Sequence, residues 1–179
     1  MNGRGNPPPT GYRQITEGRY REVVGLGYHE MPVGLTIEHR PGRTVTDADN
    51  TWLTALAGNA APIHTDAHYS SRTTWQRPLV CSTITLHLVG GMTVRSTSGL
   101  TTGNLGFEEV RFRDPVFVGD TLYAETEITG RRLSGSQPGN GIVTCRTTGH
   151  NQDGNTVVIF TRSFFVPVDA DTVRDHTNY

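Results

Sequence analysis

Residues 82–95 carry apolar side chains around the whole circumference of a predicted α-helix. Six residues set this pattern: Ile84, Leu86, Leu88, Val89, Met92 and Val94. Because they spread widely around the helix axis, we expect the helix to be buried on most of its sides. The adjacent Gly90 and Gly91 reduce helix stability in the middle, so we also expect another element to pack very close to them.

The chain after this helix changes to a strand pattern that continues almost to its end. Four segments carry β-branched and aromatic residues in partial alternation: residues 106–112, 120–132, 141–150 and 156–168. Turn sequences separate them, including the hairpin signal Asp153-Gly154. The order predicts a helix followed by a meander of about four antiparallel strands. An α+β fold in which an antiparallel sheet wraps around a central helix, the hot-dog fold, fits this order.

A single sheet around one helix leaves an exposed edge, so we expect a homodimer or higher homo-oligomer that joins sheets. The 179 residues suit one domain. Residues 1–18 are rich in Gly, Pro and Asn without periodicity, and we interpret them as a flexible leader. Residues 19–168 then form the domain, and residues 169–179 a polar surface tail.

Charge and hydropathy exclude several classes of partner. A net charge of −1 and a pI near 6.6 give no electrostatic reason to bind nucleic acid or an acidic membrane. No stretch approaches the ~20 apolar residues of a membrane span, and the N-terminus lacks the apolar run of a signal peptide. We therefore expect a cytoplasmic protein. All 16 basic side chains are arginines, which excludes Schiff-base chemistry by lysine.

A predicted helix ends just before a polar turn that contains one histidine. Thr46 and Asp49 form the start of this helix as a capping box, with Asp in place of the usual Glu, and Gly58 ends it. Its apolar residues Trp52, Leu53, Leu56 and Ala57 fall on one side.

The turn, residues 58–66, reads Gly-Asn-Ala-Ala-Pro-Ile-His-Thr-Asp. Pro62 presets its own φ and pushes Ala61 out of helical space, so the backbone that enters His64 is constrained. Such a turn can hold an imidazole in one orientation, as acid–base chemistry requires. The alternative is a histidine that simply ends a loop.

This turn resembles the signature of the MaoC-like hydratases, a hot-dog family that acts on enoyl thioesters. The usual family form is Gly-Asp-x-Asn-Pro-x-His-x-Asp, followed further along by a proline. Five residues match it in type and order: Gly58, Pro62, His64, Asp66 and Pro78. The resemblance runs over residues 20–168. Residues 104–112 and 115–122 are similar to the subgroup around mesaconyl-CoA and itaconyl-CoA hydratases.

The resemblance implies an enzyme that adds or removes water at the 2,3-position of an acyl thioester carried by CoA or a carrier protein. No cofactor is implied beyond the CoA or phosphopantetheine of the substrate. His64 would be the general acid/base. A backbone N–H at Ser82, where the apolar helix begins, would bind the enolate oxygen. Neighbouring positions of the family site, expected to contact substrate, fall on Ala61, Pro62, Cys81 and Thr83.

Asn59 stands where the family has its general-acid aspartate, and an amide cannot transfer a proton near neutral pH. The family's asparagine is replaced by Ala61, and its His-Gly-Met before the helix by Cys81-Ser82-Thr83. Asn59 could orient water or the thioester carbonyl, or it could be a helix-end residue with left-handed φ. In a syn addition, His64 alone could remove and return the proton.

Other candidate residues have structural explanations. Asp66 is expected to cap a short following helix, and Asp47 and Asp49 to cap the preceding one, although either of these two could replace the missing acid. The His-x-Asp-x-His sequence that starts at His64 has no second cluster after it, so we predict no metal site. Cys81 has no second histidine placed to activate it, so we predict no thiol nucleophile.

Two other functions remain open from the sequence. The chain could be a non-catalytic acyl-thioester-binding or accessory protein that lost its acid at Asn59. It could also be a hot-dog thioesterase, which would need a carboxylate aimed at the thioester carbonyl. A branched or dicarboxylic acyl group is compatible with the subgroup, and a dicarboxylic one would require an arginine in the pocket. The sequence does not identify which of the 16 arginines that is.

Overall fold

The computed structural model describes residues 10–179, and its largest sheet has five antiparallel strands. These are β3 (Thr36–Thr44), β4 (Gly103–Phe112), β5 (Thr121–Leu133), β6 (Asn140–His150) and β7 (Thr156–Pro167). They lie in the order β3-β5-β6-β7-β4. A separate hairpin consists of β1 (Tyr12–Thr16) and β2 (Arg19–Glu22).

Five α-helices accompany the sheet: α1 (Asp47–Leu56), α2 (Pro62–Thr65), α3 (Ala67–Ser70), α4 (Ser82–Val94) and α5 (Ala170–Thr177). Two 3-10 turns lie at Tyr28–Glu30 and Ser98–Leu100. The long helix α4 packs against β3, β5 and β7, as expected for a sheet that wraps around a central helix. Among residues 10–179, no helix is long and apolar enough to cross a membrane.

β4 does not continue the meander that the sequence predicts. Hairpins join β5, β6 and β7 in order, whereas β4 pairs with β7 at the opposite side of the sheet from β3. The connection from β4 to β5 therefore runs from one side of the sheet to the other. Val116 is buried along its course and joins the core around α4. β4 is left as an edge strand.

One face of α4 is exposed, which differs from the expected burial on most sides. Ile84, Thr85 and Val89 are buried against the sheet, whereas Thr83, His87 and Val94 are exposed. Elements of this chain therefore cover only part of the surface of the helix.

The close approach between α4 and the sheet is also not where the two helical glycines predicted it. A Cβ atom on Gly90 would lie 3.9 Å from Phe160, an ordinary contact, and one on Gly91 would meet nothing within 4 Å. A Cβ atom on Gly149 of β6 would instead lie 2.8 Å from Val89. The glycine that permits close packing between α4 and the sheet is therefore Gly149 of β6.

Both predicted chain ends contain regular structure. Residues 1–9 of the expected leader lie outside the described residues, but residues 12–16 form β1. In the expected tail, Asp169 caps α5 by accepting a hydrogen bond from Thr172 N at 3.0 Å. Arg13 binds Asp175, and the buried Arg174 donates to the carbonyl of Gly25 at 2.8 Å. Polar contacts between sequence-distant residues hold the described parts of these segments in place, and such contacts produce no apolar periodicity in the sequence.

Candidate active site

The turn that carries His64 is fixed by the end of α1. Gly58 has a φ of +63°, in the left-handed region that favours glycine and ends helices. The side-chain oxygen of Asn59 then accepts the backbone N–H of Ala61 at 3.0 Å. Pro62 begins α2, where its missing N–H is not needed. His64 is thus held in a one-turn helix, as the proline suggested.

The imidazole of His64 has a defined tautomer. Its Nδ1 lies 3.0 Å from the carbonyl oxygen of Leu79. Because a carbonyl can only accept, Nδ1 must carry the proton in this contact, and Nε2 of the neutral ring keeps a free lone pair. The side chain is half-buried at the wall of a cavity, so Nε2 is suited to act as a base.

The N-terminus of α4 faces the same cavity. Its N-cap residue is Cys81, and Ser82 is its first helical residue. Backbone N–H groups in the first turn of a helix have no intrahelical acceptor, and the helix dipole is positive there. Ser82 therefore brings a hydrogen-bond donor site to the cavity wall.

This cavity has a volume of about 200 Å³. Its lining comprises His64, Trp75, Leu79, Val80, Ser82, Thr85, Phe112, Arg113, Asp114, Pro115, Val116 and Val157. It combines an apolar wall with one imidazole, one helix N-terminus, one guanidinium and one carboxylate. Arg113 and Asp114 directly follow β4, and no motif or spacing in the sequence marks them as residues of the site.

Asn59 and Cys81 hydrogen-bond to each other, and neither residue lines the cavity. Asn59 Nδ2 donates to Cys81 Sγ at 3.2 Å, so both ends of the Asn59 amide have partners within the protein. Burial by itself would raise the pKa of the Cys81 thiol. Hydrogen bonds with Thr83, Asn59 and the Ile84 backbone outweigh this and lower its pKa. These contacts connect the His64 turn to the start of α4.

The remaining substrate-binding candidates also lie outside the lining of this cavity. Ala61 and Pro62 build the turn itself. Thr83 lines a neighbouring groove between α1 and α4, together with His87. Sequence spacing placed these residues near the site but could not tell which of them face inward.

The carboxylates near the turn act as helix caps. Asp49 accepts the N–H and hydroxyl of Thr46 at 2.8 and 2.7 Å, which lowers the pKa of its carboxyl group. Asp66 accepts the N–H of Tyr69 at 2.8 Å. Within residues 10–179, no group of three His, Cys, Asp or Glu residues is arranged to hold a metal ion.

Comparison with known families shows which family the chain belongs to. The model of the MaoC like domain matches residues 29–151, which is more than half of the sequence. The chain belongs to the MaoC-like family. The matched region includes the His64 turn, α4 and four of the five strands of the large sheet.

Named relatives of this MaoC-like chain include two enzymes of acyl-CoA thioesters. A mesaconyl-CoA hydratase of Cereibacter sphaeroides is 32% identical over 85% of this chain and 46% of its own length. A beta-methylmalyl-CoA dehydratase of Chloroflexus aurantiacus is 28% identical over 77% of this chain and 39% of its own length. The chain thus spans about half the length of these relatives, or less.

The fold is that of the hot-dog proteins. A Mycobacterium tuberculosis protein with a double hot-dog fold superposes with a TM-score of 0.74 at 24% identity. The match covers 82% of this chain and 46% of that one. The predicted α+β hot-dog architecture is therefore confirmed.

Proposed function

We propose that this MaoC-like domain adds water to, or removes it from, the 2,3-position of an acyl thioester carried by CoA or a carrier protein. The observation that carries the proposal is the pairing of His64 with the start of α4 in one cavity. The Leu79 carbonyl holds the Nδ1 proton, which leaves Nε2 as the base. Ser82 offers a backbone donor to the thioester oxygen.

In the hydration direction, Nε2 of His64 takes a proton from water while the water oxygen bonds to C3. The electron pair of the C2–C3 double bond moves toward C1, and negative charge develops on the thioester oxygen. The N-terminus of α4 stabilises that charge. The imidazolium then returns its proton to C2, and the net change is addition of one water molecule. Asn59 takes no part in proton transfer, because its amide cannot supply a proton and is already bound within the protein.

A comparison of two histidine variants tests this function. In His64→Ala, turnover of enoyl-CoA and 3-hydroxyacyl-CoA thioesters should fall at least about 100-fold, since general acid–base catalysis contributes 10²–10⁴-fold. His68→Ala is the matched control, because His68 is exposed on α3 and outside the cavity lining. The measurement is the gain or loss of enoyl absorbance. The proposal fails if the wild-type protein changes no thioester of the panel.

The same reactions also test the two alternative functions. Tight thioester binding without turnover would indicate an accessory protein, which the internally bonded Asn59 in place of an acid favours. Release of free thiol would indicate a thioesterase, for which Asp114 is the carboxylate of the cavity.

We further propose that the acyl group is short and carries a second carboxylate. A volume of about 200 Å³ lies below the 300–1,000 Å³ common for ligand sites. Arg113 is the arginine that lines this cavity, and its guanidinium has no ion-pair partner among residues 10–179. Mesaconyl-CoA, the substrate named for one relative, carries such a carboxylate.

Arg113→Gln should lower kcat/KM for mesaconyl-CoA about 10- to 100-fold, the loss expected for a hydrogen bond to a charged group. Crotonyl-CoA has a similar length without the second carboxylate, so its kcat/KM should change little. Arg111→Gln, near the end of β4 and outside the cavity lining, is the control. An equal loss for both thioesters would contradict the assignment and indicate that Arg113 binds a phosphate of CoA.

We also propose that the chain acts as a homodimer whose sheets join at β4. The exposed side chains of this edge strand support the proposal, and its test is given below.

A further inference from the structure

Asn50 is a buried polar residue at the centre of the site's supporting structure. It lies on α1 with 3% of its surface exposed. A buried amide is costly unless its donors and acceptors are paired, so each of its contacts constrains the groups that it touches.

The Asn50 side chain contacts three separate parts of the site. Its Nδ2 donates to the backbone carbonyl of His64 at 2.9 Å and lies 3.4 Å from that of Leu79. Its Oδ1 accepts the backbone N–H of Cys81 at 3.2 Å and, within α1, the hydroxyl of Thr54 at 3.4 Å. Because carbonyls only accept and an N–H only donates, these contacts fix which end of the amide is nitrogen.

Two of these contacts are to backbone carbonyls that fix the position and the tautomer of the base. The Leu79 carbonyl that Asn50 approaches is the one that holds the Nδ1 proton of His64. The other carbonyl belongs to the backbone of His64 itself. Asn50 therefore constrains both the position of His64 and the acceptor that selects its tautomer.

The third contact, to the Cys81 N–H, lies next to the proposed oxyanion donor at Ser82. Cys81 is the N-cap of α4, and the next residue is Ser82. The Asn50 amide thus links the backbone of His64 to the N-cap residue of α4. No other described side chain hydrogen-bonds to both the backbone of His64 and that of Cys81.

We propose that Asn50 is a positioning residue that sets the distance between His64 and the N-terminus of α4 and keeps the His64 proton on Nδ1. Its kinetic consequence rests on the proposed hydratase function. Loss of the amide would let the two groups move apart without removing either. A misplacement of about 1 Å can cost about 100-fold in rate.

The test uses Asn50→Asp, which keeps the shape and the acceptor but removes both donors. We expect kcat to fall about 30- to 100-fold, with KM within about threefold, because the substrate contacts remain. The control is Thr97→Val, which removes a buried hydroxyl that donates to the Thr93 carbonyl and has no hydrogen bond to Asn50, the His64 turn or Cys81. Its kcat should stay within about threefold of wild type.

A second readout does not depend on activity. Nitrogen NMR of His64 should show the Nδ1–H tautomer in the wild type and in Thr97→Val, and a mixture of tautomers in Asn50→Asp. If Asn50→Asp keeps the wild-type tautomer and kcat, the positioning role is wrong. If the wild type has no hydratase activity, the proposed function fails, while the tautomer still tests Asn50.

A measurement on the wild type decides the matter if Asn50→Asp does not fold. The side-chain amide protons of Asn50 should exchange with solvent far more slowly than those of the exposed Gln152. Rapid exchange of the Asn50 protons would show that the amide does not hold these carbonyls and would overturn the proposal.

Discussion

At the scale of single residues, His39 links the stability of the fold to pH. The ring is buried between α4 and the sheet, with Nδ1 2.7 Å from Ser96 Oγ and Nε2 2.8 Å from Thr126 Oγ1. Burial lowers the pKa of His39 to about 4, assisted by the positive charges of Arg162 and Arg40. The native protein therefore holds this imidazole neutral well below the pH at which an exposed one gains its proton.

The sign of the pH effect follows from this depressed pKa. Between about pH 6.5 and pH 4, the unfolded chain binds a proton at His39 and the native state does not, so acid favours unfolding. We expect the free energy of unfolding to fall by about 3 kcal/mol across this window through His39 alone.

His39→Gln should flatten this dependence in urea unfolding at a series of pH values, because glutamine cannot take up the proton. His176→Gln, an exposed histidine of α5, should leave the slope unchanged. Equal slopes in His39→Gln and the wild type would contradict the assignment of the acid sensitivity to His39.

The sequence predicted the residues whose role depends on near neighbours in the chain. Thr46 and Asp49 form the expected capping box, and Asp66 caps α3 as expected. Asn50, Arg113 and Asp114 were missed because their partners or their cavity are created by chain folding. Nothing within a few residues of Asn50 indicates that its amide would reach two carbonyls and an N–H.

At the scale of elements, the periodicity of apolar residues predicted where the helices and strands lie. It did not always predict which side of an element is buried. α1 exposes 69% of Trp52 and 78% of Leu56, and it buries Asn50 and Thr54 instead. The buried side is polar because it supports the His64 turn through hydrogen bonds. The strands β4 to β7 match the predicted segments, but their neighbours depend on the path of residues 113–120, which carry no periodic signal.

β4 is the element whose surroundings are incomplete in a single chain. Its large apolar side chains Leu105, Phe107, Val110 and Phe112 are all exposed by at least 36%. An edge strand that exposes both its backbone and such side chains favours pairing with another strand. The exposed face of α4 lies on the same open side, since Val94 and Phe107 line one groove.

At the scale of the whole molecule, the proposed dimer gives these surfaces a partner. We expect the wild type to have the mass of two chains in size-exclusion chromatography with light scattering. Leu105→Lys should shift the mass toward one chain, because it places a charge at the joined edges. Leu133→Lys is the control, since Leu133 is also an exposed apolar residue, at the end of β5.

A wild-type protein with the mass of one chain at micromolar concentration would refute the dimer.

Trp75 lines the cavity of His64, with its ring 6.3 Å from that of Phe117, whereas Trp52 points away from it on the exposed side of α1. These are the two tryptophans of the chain. Replacing Trp52 by phenylalanine leaves a single indole whose fluorescence reports on the cavity alone. Occupancy by a thioester then becomes visible as a change in emission, even in variants that have lost all turnover.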